Sequence, residues 1–91
     1  MNQTKTFKAL SDPNRLTIMQ LVSETEVCAY ELLEKLDITQ PTLSHHMKVL
    51  FEADLIRVRH DGRWTHYSVN YDAVDEIYQY LGAFRKDKSS L

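Results

Sequence analysis

The segment from residue 28 to residue 69 constrains the fold more than any other part of this 91-residue chain. It begins with apolar side chains at the i, i+3, i+4 and i+7 positions of a short helix, namely Ala29, Leu32, Leu33 and Leu36. Asp37-Ile38-Thr39 interrupts this spacing, and Thr39 is a favourable N-cap for a second helix from Gln40 to about Ala53. Two short helices joined by so brief a turn are typical of a helix-turn-helix motif.

The second helix of this pair has one apolar and one polar face. Leu43, Met47 and Leu50 recur at helical spacing and are expected in the core. The opposite face carries Pro41, Ser44, His45 and Lys48, again at i, i+3, i+4 and i+7. Such a helix is typical of recognition in the DNA major groove. We predict a phosphate contact for Lys48, and contacts with base edges and phosphates for four residues near the N-terminus: Gln40, Thr42, Ser44 and His45.

A β-hairpin is predicted immediately after this helix. Residues 55–59 and 63–69 alternate between apolar and polar side chains, and the intervening Asp61-Gly62 is a common two-residue turn. This turn pairs Arg59 with Trp64 across the hairpin, close enough for a cation–π contact. The face toward the core is expected to contain Ile56, Val58 and Tyr67. The outer face is expected to contain Arg57, Arg59, Trp64 and His66.

A helix pair followed by a basic hairpin predicts a winged helix-turn-helix, a fold that binds double-stranded DNA. The net charge of −2 does not favour such a partner, but the distribution of the charges along the chain does. Residues 40–71 contain four basic and three acidic side chains, hence +1, together with all four histidines. We predict that the wing contacts the DNA backbone through Arg59, His60 and Arg63.

Three further helices are predicted around this motif. A short first helix contains Phe7 and Leu10, and a second begins after the cap-like Ser11-Asp12-Pro13 and ends near Ser23. The buried stripe of that second helix is predicted to be Leu16, Met19 and Val22. The final helix carries a long apolar stripe: Val74, Ile77, Tyr78, Leu81 and Phe84. Residues 1–91 are thus predicted to form one mainly α domain with about five helices and a two-stranded wing, followed by disorder after about residue 86.

The composition narrows the class of protein. No apolar run approaches the roughly 18 residues of a membrane span, and no leader precedes the first helix, so a cytoplasmic protein is expected. The single cysteine, Cys28, excludes an internal disulfide. The chain has no Gly-rich phosphate loop and no His-Glu metal motif, so no enzyme is predicted. A winged helix that binds another protein instead of DNA is the alternative, but it would expose large apolar residues where Ser44, His45 and Lys48 stand.

Three segments resemble the ArsR/SmtB family of bacterial repressors. Residues 9–16 (ALSDPNRL) are similar to the family's opening signature, residues 40–47 (QPTLSHHM) to its recognition-helix motif, and Asp61-Gly62-Arg63-Trp64 with Tyr67-Ser68 to its wing. The resemblance implies a homodimer that blocks a promoter and releases it when an inducer binds. It also implies that the first and last helices pair across the dimer, which places Phe7 and the apolar stripe of the final helix in the interface.

The resemblance is weakest in the inducer site. The arsenic-sensing branch of the family carries Cys-x-Cys, whereas Tyr30 stands here where the second thiol is expected after Cys28. Soft metal ions need two or three thiolates, and no histidine follows His66 to build the zinc site of the other branch. We therefore predict no metal or cofactor. A metal or thiol-reactive inducer is the alternative, but the number of ligands in the chain does not support it. Cys28 remains open to three interpretations: a small apolar residue, an oxidant-reactive thiol, or part of an incomplete metal site.

Overall fold

Five helices and three short strands follow one another in the computed structural model, which describes residues 2–85. In chain order they are α1 (Gln3–Leu10), α2 (Pro13–Glu24), β1 (Val27–Cys28), α3 (Ala29–Leu36), α4 (Gln40–Glu52), β2 (Ile56–Asp61), β3 (Trp64–Val69) and α5 (Tyr71–Gly82). The five predicted helices are confirmed, and α3 and α4 form the helix-turn-helix. The tail predicted to be disordered lies outside the described residues.

The starts of the helices agree with their capping residues. The Asp12 carboxylate accepts a hydrogen bond of 3.0 Å from the backbone N–H of Arg15, and Pro13 occupies the first turn of α2. The Thr39 hydroxyl accepts one of 3.4 Å from the N–H of Thr42 at the start of α4. Side-chain oxygens satisfy N–H groups that a helix leaves free at its N-terminus. Because this signal is local, the sequence predicts both starts correctly.

The core lies where α2, α3, α4 and the sheet meet. Ile18, Leu32, Leu50 and Leu55 have no exposed surface. On α2 the buried residues are Ile18 and Val22, with Met19 partly covered, so the predicted burial of Leu16 is wrong. Leu16 is 50% exposed, because two helical steps from Ile18 place it about 160° away around the axis.

The sheet has three strands in the order β1-β3-β2. The pair β2 and β3 is the predicted two-stranded wing, and β1 adds a third strand that was not predicted. β1 pairs antiparallel with β3, with Val27 opposite Tyr67 and Cys28 opposite His66. Two residues are too few to show the alternation by which a strand is recognised in a sequence. β1 therefore exists only because β3 provides an edge with which it can pair.

The hairpin of β2 and β3 differs from its predicted register. Asp61 pairs with Trp64, so the loop is Gly62-Arg63 and the predicted pairing of Arg59 with Trp64 is wrong. Gly62 has φ of 61°, and a glycine of positive φ at the first central position fits a type II′ turn. The pairing has moved by two residues, and because side chains alternate with a period of two, the predicted faces are unchanged. Val58 indeed lies opposite Tyr67 on the face toward the core.

Candidate nucleic-acid interface

Helix α4 presents a polar face to solvent from its first turn to the start of its third. The exposed residues there include all five that were predicted to contact DNA: Gln40, Thr42, Ser44, His45 and Lys48. The face toward the core contains Leu43, His46, Met47 and Leu50, all buried. The hydrophobic contacts of α4 therefore determine which side chains point outward, and these are hydrogen-bonding groups followed by one cation.

The N-terminus of α4 is held by two threonines. The Thr39 hydroxyl donates a hydrogen bond of 2.9 Å to the Thr42 hydroxyl, which leaves the Thr42 hydrogen available for another acceptor. The backbone N–H groups of the first turn carry the positive end of the helix dipole, which favours a nearby phosphate. The start of α4 thus combines donors of the backbone and of the side chains.

The three wing residues that were predicted to contact DNA differ in whether their side chains already have partners within the protein. Arg63 lies exposed in the turn, and its side chain forms no hydrogen bond or ion pair within residues 2–85. His60 is exposed, with its ring Nδ1 3.3 Å from the hydroxyl of its cross-strand partner Thr65. Arg59 instead donates two hydrogen bonds to the Glu26 carboxylate, from Nε at 3.1 Å and from Nη2 at 2.7 Å. Any contact between Arg59 and DNA must therefore compete with Glu26.

The ion pair between Arg59 and Glu26 also changes the acidity of the glutamate. The hydrogen bonds from Arg59, together with its positive charge, lower the pKa of Glu26 below its ordinary value. Both side chains remain partly exposed, with 54% of Arg59 and 38% of Glu26 accessible. Exposed pairs of this kind contribute little to stability. The pair therefore positions the arginine without holding it irreversibly.

An open groove separates α4 from the wing. It has a volume of about 520 Å³ and is lined by Ser44, Met47, Lys48, Phe51, Val58, His60, Thr65 and Tyr67. The structure thus brings together three of the predicted DNA contacts, Ser44, Lys48 and His60, around one concavity. Gln40, Thr42 and His45 extend the surface toward the N-terminus of α4, and Arg63 extends it to the tip of the wing.

One residue of α4 was assigned no role from the sequence. His46 is only 7% exposed and points toward α2, although it stands beside the outward-facing His45. A signal for this was present, because His46 lies three residues after Leu43 and four before Leu50, on the buried stripe. The adjacent His45, in the net-positive segment of residues 40–71, drew the interpretation toward DNA contacts instead of burial.

The apolar stripe of the final helix is largely exposed in the single chain. Tyr78 is 80% exposed, Leu81 47% and Val74 39%, whereas Ile77 packs partly against the core. Phe84 is also exposed but lies beyond the end of α5, so its predicted place on the helix is wrong.

Helices α1 and α5 contact each other through aromatic rings. The ring of Phe7 lies 6.0 Å from that of Tyr80, and the Tyr80 ring lies 5.3 Å from that of Phe84 in an edge-to-face arrangement. Tyr80 was absent from the predicted stripe. The three rings join α1 to α5 within one chain, next to the exposed residues of α5.

The region of Cys28 was the candidate for inducer sensing. Cys28 is half-buried at the start of α3, and its backbone N–H donates to the Glu31 carboxylate at 3.2 Å. Tyr30 is 61% exposed, and a hydrogen bond with Glu34 raises the pKa of its phenol. Residues 2–85 contain no cluster of three or more potential His, Cys, Asp or Glu metal ligands. No helix within the same residues is long and apolar enough to cross a membrane.

Comparison with known proteins gives consistent matches. The model of the bacterial regulatory protein arsR family matches residues 12–58. An arsenical resistance operon repressor of Staphylococcus xylosus is 47% identical over 75 residues, which cover 82% of this chain and 72% of the relative. The transcriptional repressor SdpR of Bacillus subtilis is 31% identical over 75 residues, 82% of this chain and 83% of that protein. An ArsR-like transcriptional regulator from Rhodococcus has a similar fold, with a TM-score of 0.79 at 21% identity, covering 89% of this chain and 76% of the other.

Proposed function

This chain belongs to the ArsR family of bacterial regulatory proteins and is a DNA-binding transcriptional repressor, and we propose that it recognises its operator by placing α4 in the major groove. The observation that carries this proposal is the division of α4 into a buried apolar face and an exposed polar one. Side chains that donate or accept hydrogen bonds at the N-terminal end of such a helix lie within reach of base edges.

The assignment of roles follows from position along α4. Ser44 and His45 occupy the middle of the exposed face and contact base edges, with Gln40 and Thr42 at the end nearer the helix N-terminus. Lys48 lies one turn further on and binds a phosphate. The groove between α4 and the wing then receives the sugar–phosphate strand, with Lys48 and His60 on its two sides.

The wing contributes unequally in this proposal. Arg63, exposed in the turn and without an ion-pair partner in residues 2–85, binds the backbone directly. Arg59 contributes only when a phosphate replaces the Glu26 carboxylate, because the same donors serve both. Phosphate contacts provide affinity without sequence information. Sequence specificity therefore rests on α4.

A homodimer is proposed through the exposed residues of α5 and the adjoining α1. Val74, Tyr78 and Leu81 leave an apolar surface in water, and Phe84 and Phe7 extend it. Burying a side chain of this size stabilises an association by roughly 1.5–3 kcal/mol. A two-fold dimer places two copies of α4 about one helical turn of DNA apart, roughly 34–36 Å. The operator is accordingly proposed to be palindromic, and the repressor to act in the cytoplasm.

We propose that the inducer is not an ion that must be bound by several cysteine thiolates. The relative of 47% identity is named an arsenical resistance repressor, but Tyr30 stands two residues after Cys28 and presents a phenol, not a second thiol. A phenol oxygen is a poor ligand for soft ions. We infer that arsenite releases this repressor weakly, and that zinc does not release it.

The decisive experiment measures binding of the purified protein to DNA from upstream of its own coding sequence. Fluorescence anisotropy compares this DNA with a shuffled duplex of the same composition, at two or more salt concentrations. A specific repressor binds the upstream DNA at least about 1,000-fold more tightly. Equal affinity for both duplexes at every salt concentration would contradict sequence-specific recognition.

A further inference from the structure

A hydrogen-bond network joins the recognition helix to two other helices beneath the DNA-facing surface. Arg15, in the first turn of α2, donates from Nε to the Ala9 carbonyl at 2.6 Å and from Nη2 to the Lys8 carbonyl at 3.4 Å. Its remaining terminal nitrogen, Nη1, lies 3.1 Å from Nδ1 of His46. One guanidinium thus connects the C-terminal end of α1, the start of α2 and the buried side of α4.

The donors and acceptors of this network determine which ring nitrogen of His46 carries a hydrogen. A guanidinium can only donate, so in this hydrogen bond Nδ1 of His46 accepts, and Nε2 is the ring nitrogen that carries the hydrogen. Asp12 lies nearby, but its carboxylate is 3.9 Å from Nδ1, which is too long for a hydrogen bond. That carboxylate accepts instead from the backbone N–H of Arg15, which fixes the start of α2 beside the network.

We propose that Arg15 and His46 are positioning residues for DNA recognition, and that their hydrogen bond sets the rotation of α4 about its own axis. The other buried residues of α4 are Leu43, Met47 and Leu50, whose contacts are apolar and tolerate small rotations. The contact at His46 is directional, because the ring nitrogen must meet the fork of a guanidinium. This inference rests on the proposed role of α4 as the recognition helix.

A small rotation is sufficient to affect recognition. A helix with its side chains has a radius of about 5–6 Å, so a rotation of about 10° displaces the outer atoms by about 1 Å. Hydrogen bonds to base edges extend over only about 2.7–3.2 Å. His46 directly follows His45 and is two residues from Ser44. A rotation of α4 at the buried ring therefore displaces both side chains that are proposed to contact bases. Long side chains such as lysine can change conformation and keep a phosphate contact after a rotation of this size, so contacts with phosphates are less sensitive than contacts with bases.

The main test is the substitution His46→Phe, which keeps an aromatic ring in the core and removes the nitrogen that accepts the hydrogen bond from Arg15. We expect the affinity for operator DNA to fall at least about tenfold, while the affinity for shuffled DNA and the salt dependence stay as in the wild type. His46→Asn supplies an oxygen near the position of Nδ1 and should recover most of the operator affinity. Ile18→Val is the matched control, because it weakens the core under α2 by removing one methylene without touching the network.

Urea unfolding of each variant separates positioning from stability. The expected result is that His46→Phe reduces the discrimination between operator and shuffled DNA at least about tenfold, whereas Ile18→Val, at a similar loss of stability, retains it. Arg15→Lys keeps the positive charge but cannot serve three acceptors in one plane, so it should reproduce the loss if His46→Phe does not fold. In the wild type, long-range proton–nitrogen NMR correlations of the His46 ring should show Nδ1 without a proton.

The outcomes distinguish this inference from the proposed function. Wild-type protein that binds operator and shuffled DNA equally contradicts the role of α4 itself. Wild-type discrimination that is unchanged in folded His46→Phe or Arg15→Lys contradicts positioning by the network. A proton on Nδ1 of His46 in the wild type overturns the hydrogen bond on which the proposal depends.

Discussion

The recognition helix and the wing present their polar side chains to solvent in different ways. On α4, Ser44, His45 and Lys48 are exposed and project from a face set by the core. On the wing, Arg59 is bound by Glu26, while Arg57 donates to Asn70 at 3.1 Å and lies 3.7 Å from a carboxylate of α5. Only Arg63 among the three wing arginines has no such partner within residues 2–85.

This difference shows that a net charge does not measure the charge available to a partner. The positive balance of residues 40–71 includes Arg57 and Arg59, whose charges are partly offset by carboxylates outside the hairpin strands. Each exposed ion pair is weak and can exchange with a phosphate. Arg63 therefore supplies the more direct backbone contact, and Arg59 a conditional one.

The largest effect is expected from a substitution that separates the two subunits of the proposed dimer, because each subunit then loses its partner's α4 and wing together. Leu81→Glu places a carboxylate on the exposed apolar surface of α5, which is proposed to be buried in the dimer. We expect monomers or unfolded chains by analytical ultracentrifugation and circular dichroism, and loss of operator binding, because one half-site alone provides too few contacts. Gln79→Glu, also exposed on α5, is the control for charge. A Leu81→Glu protein that remains a stable dimer would place the interface elsewhere.

The next effect concerns α4 alone. Ser44→Ala combined with His45→Ala should leave the fold intact, because both side chains are exposed, and should abolish discrimination. Each lost base contact is worth about 1–3 kcal/mol, so each substitution should weaken operator binding by roughly 5- to 150-fold. The measurement is anisotropy on operator and shuffled DNA. Unchanged operator affinity in the folded double variant would remove α4 from direct recognition.

The wing should respond differently from α4. Arg63→Ala is expected to weaken binding to operator and shuffled DNA alike and to reduce the salt slope by about one unit, as for the loss of one phosphate contact. The measurement is a series of affinities across salt concentrations. A collapse of discrimination with an unchanged salt slope would mean that Arg63 contacts bases, and the contrast between the two regions would fail.

A smaller effect tests the masking of Arg59. Glu26→Gln keeps the shape of the side chain and removes its charge, so Arg59 should become available and raise the affinity for all DNA several-fold. The salt slope should steepen by up to about one unit. In an Arg59→Gln background the same substitution should have little effect, and this double-mutant cycle isolates the pair. Equal gains in both backgrounds would indicate a general effect of charge instead.

The smallest effect is expected at Cys28. Cys28→Ser should repress normally, because Cys28 is not among the residues proposed to contact DNA and its hydrogen bond to Glu31 comes from the backbone. Arsenite should release the wild type only weakly. Tyr30→Cys supplies a second thiol at the missing position and should increase release by thiophilic ions. Operator release is titrated with arsenite, zinc, cadmium and peroxide. Tight release of the wild type that disappears in Cys28→Ser would show a complete site that includes this thiol.

The sequence predicted correctly those features that depend on neighbouring residues. The caps at Asp12 and Thr39 and the apolar spacing of α3 and α4 act within a few residues, and the structure confirms them. The faces of the hairpin were also correct, because alternation survives a shift of two residues. From the same local spacing follows the exposure of the predicted α4 residues, although their contacts with DNA remain predictions.

Other features depend on residues far apart in the chain, and only the tertiary structure decided them. β1 needs the edge of β3, Arg59 meets Glu26 across 33 positions, and Arg15 meets His46 across 31. Leu16 is apolar yet exposed because α2 turns another face toward the core. Periodicity in a sequence identifies which side chains share a face of one element, but a hydrogen bond or ion pair between elements depends on how the packed core brings them together. The polar face of α4 was therefore predictable from the sequence, whereas the network beneath it and the engaged arginines of the wing were not.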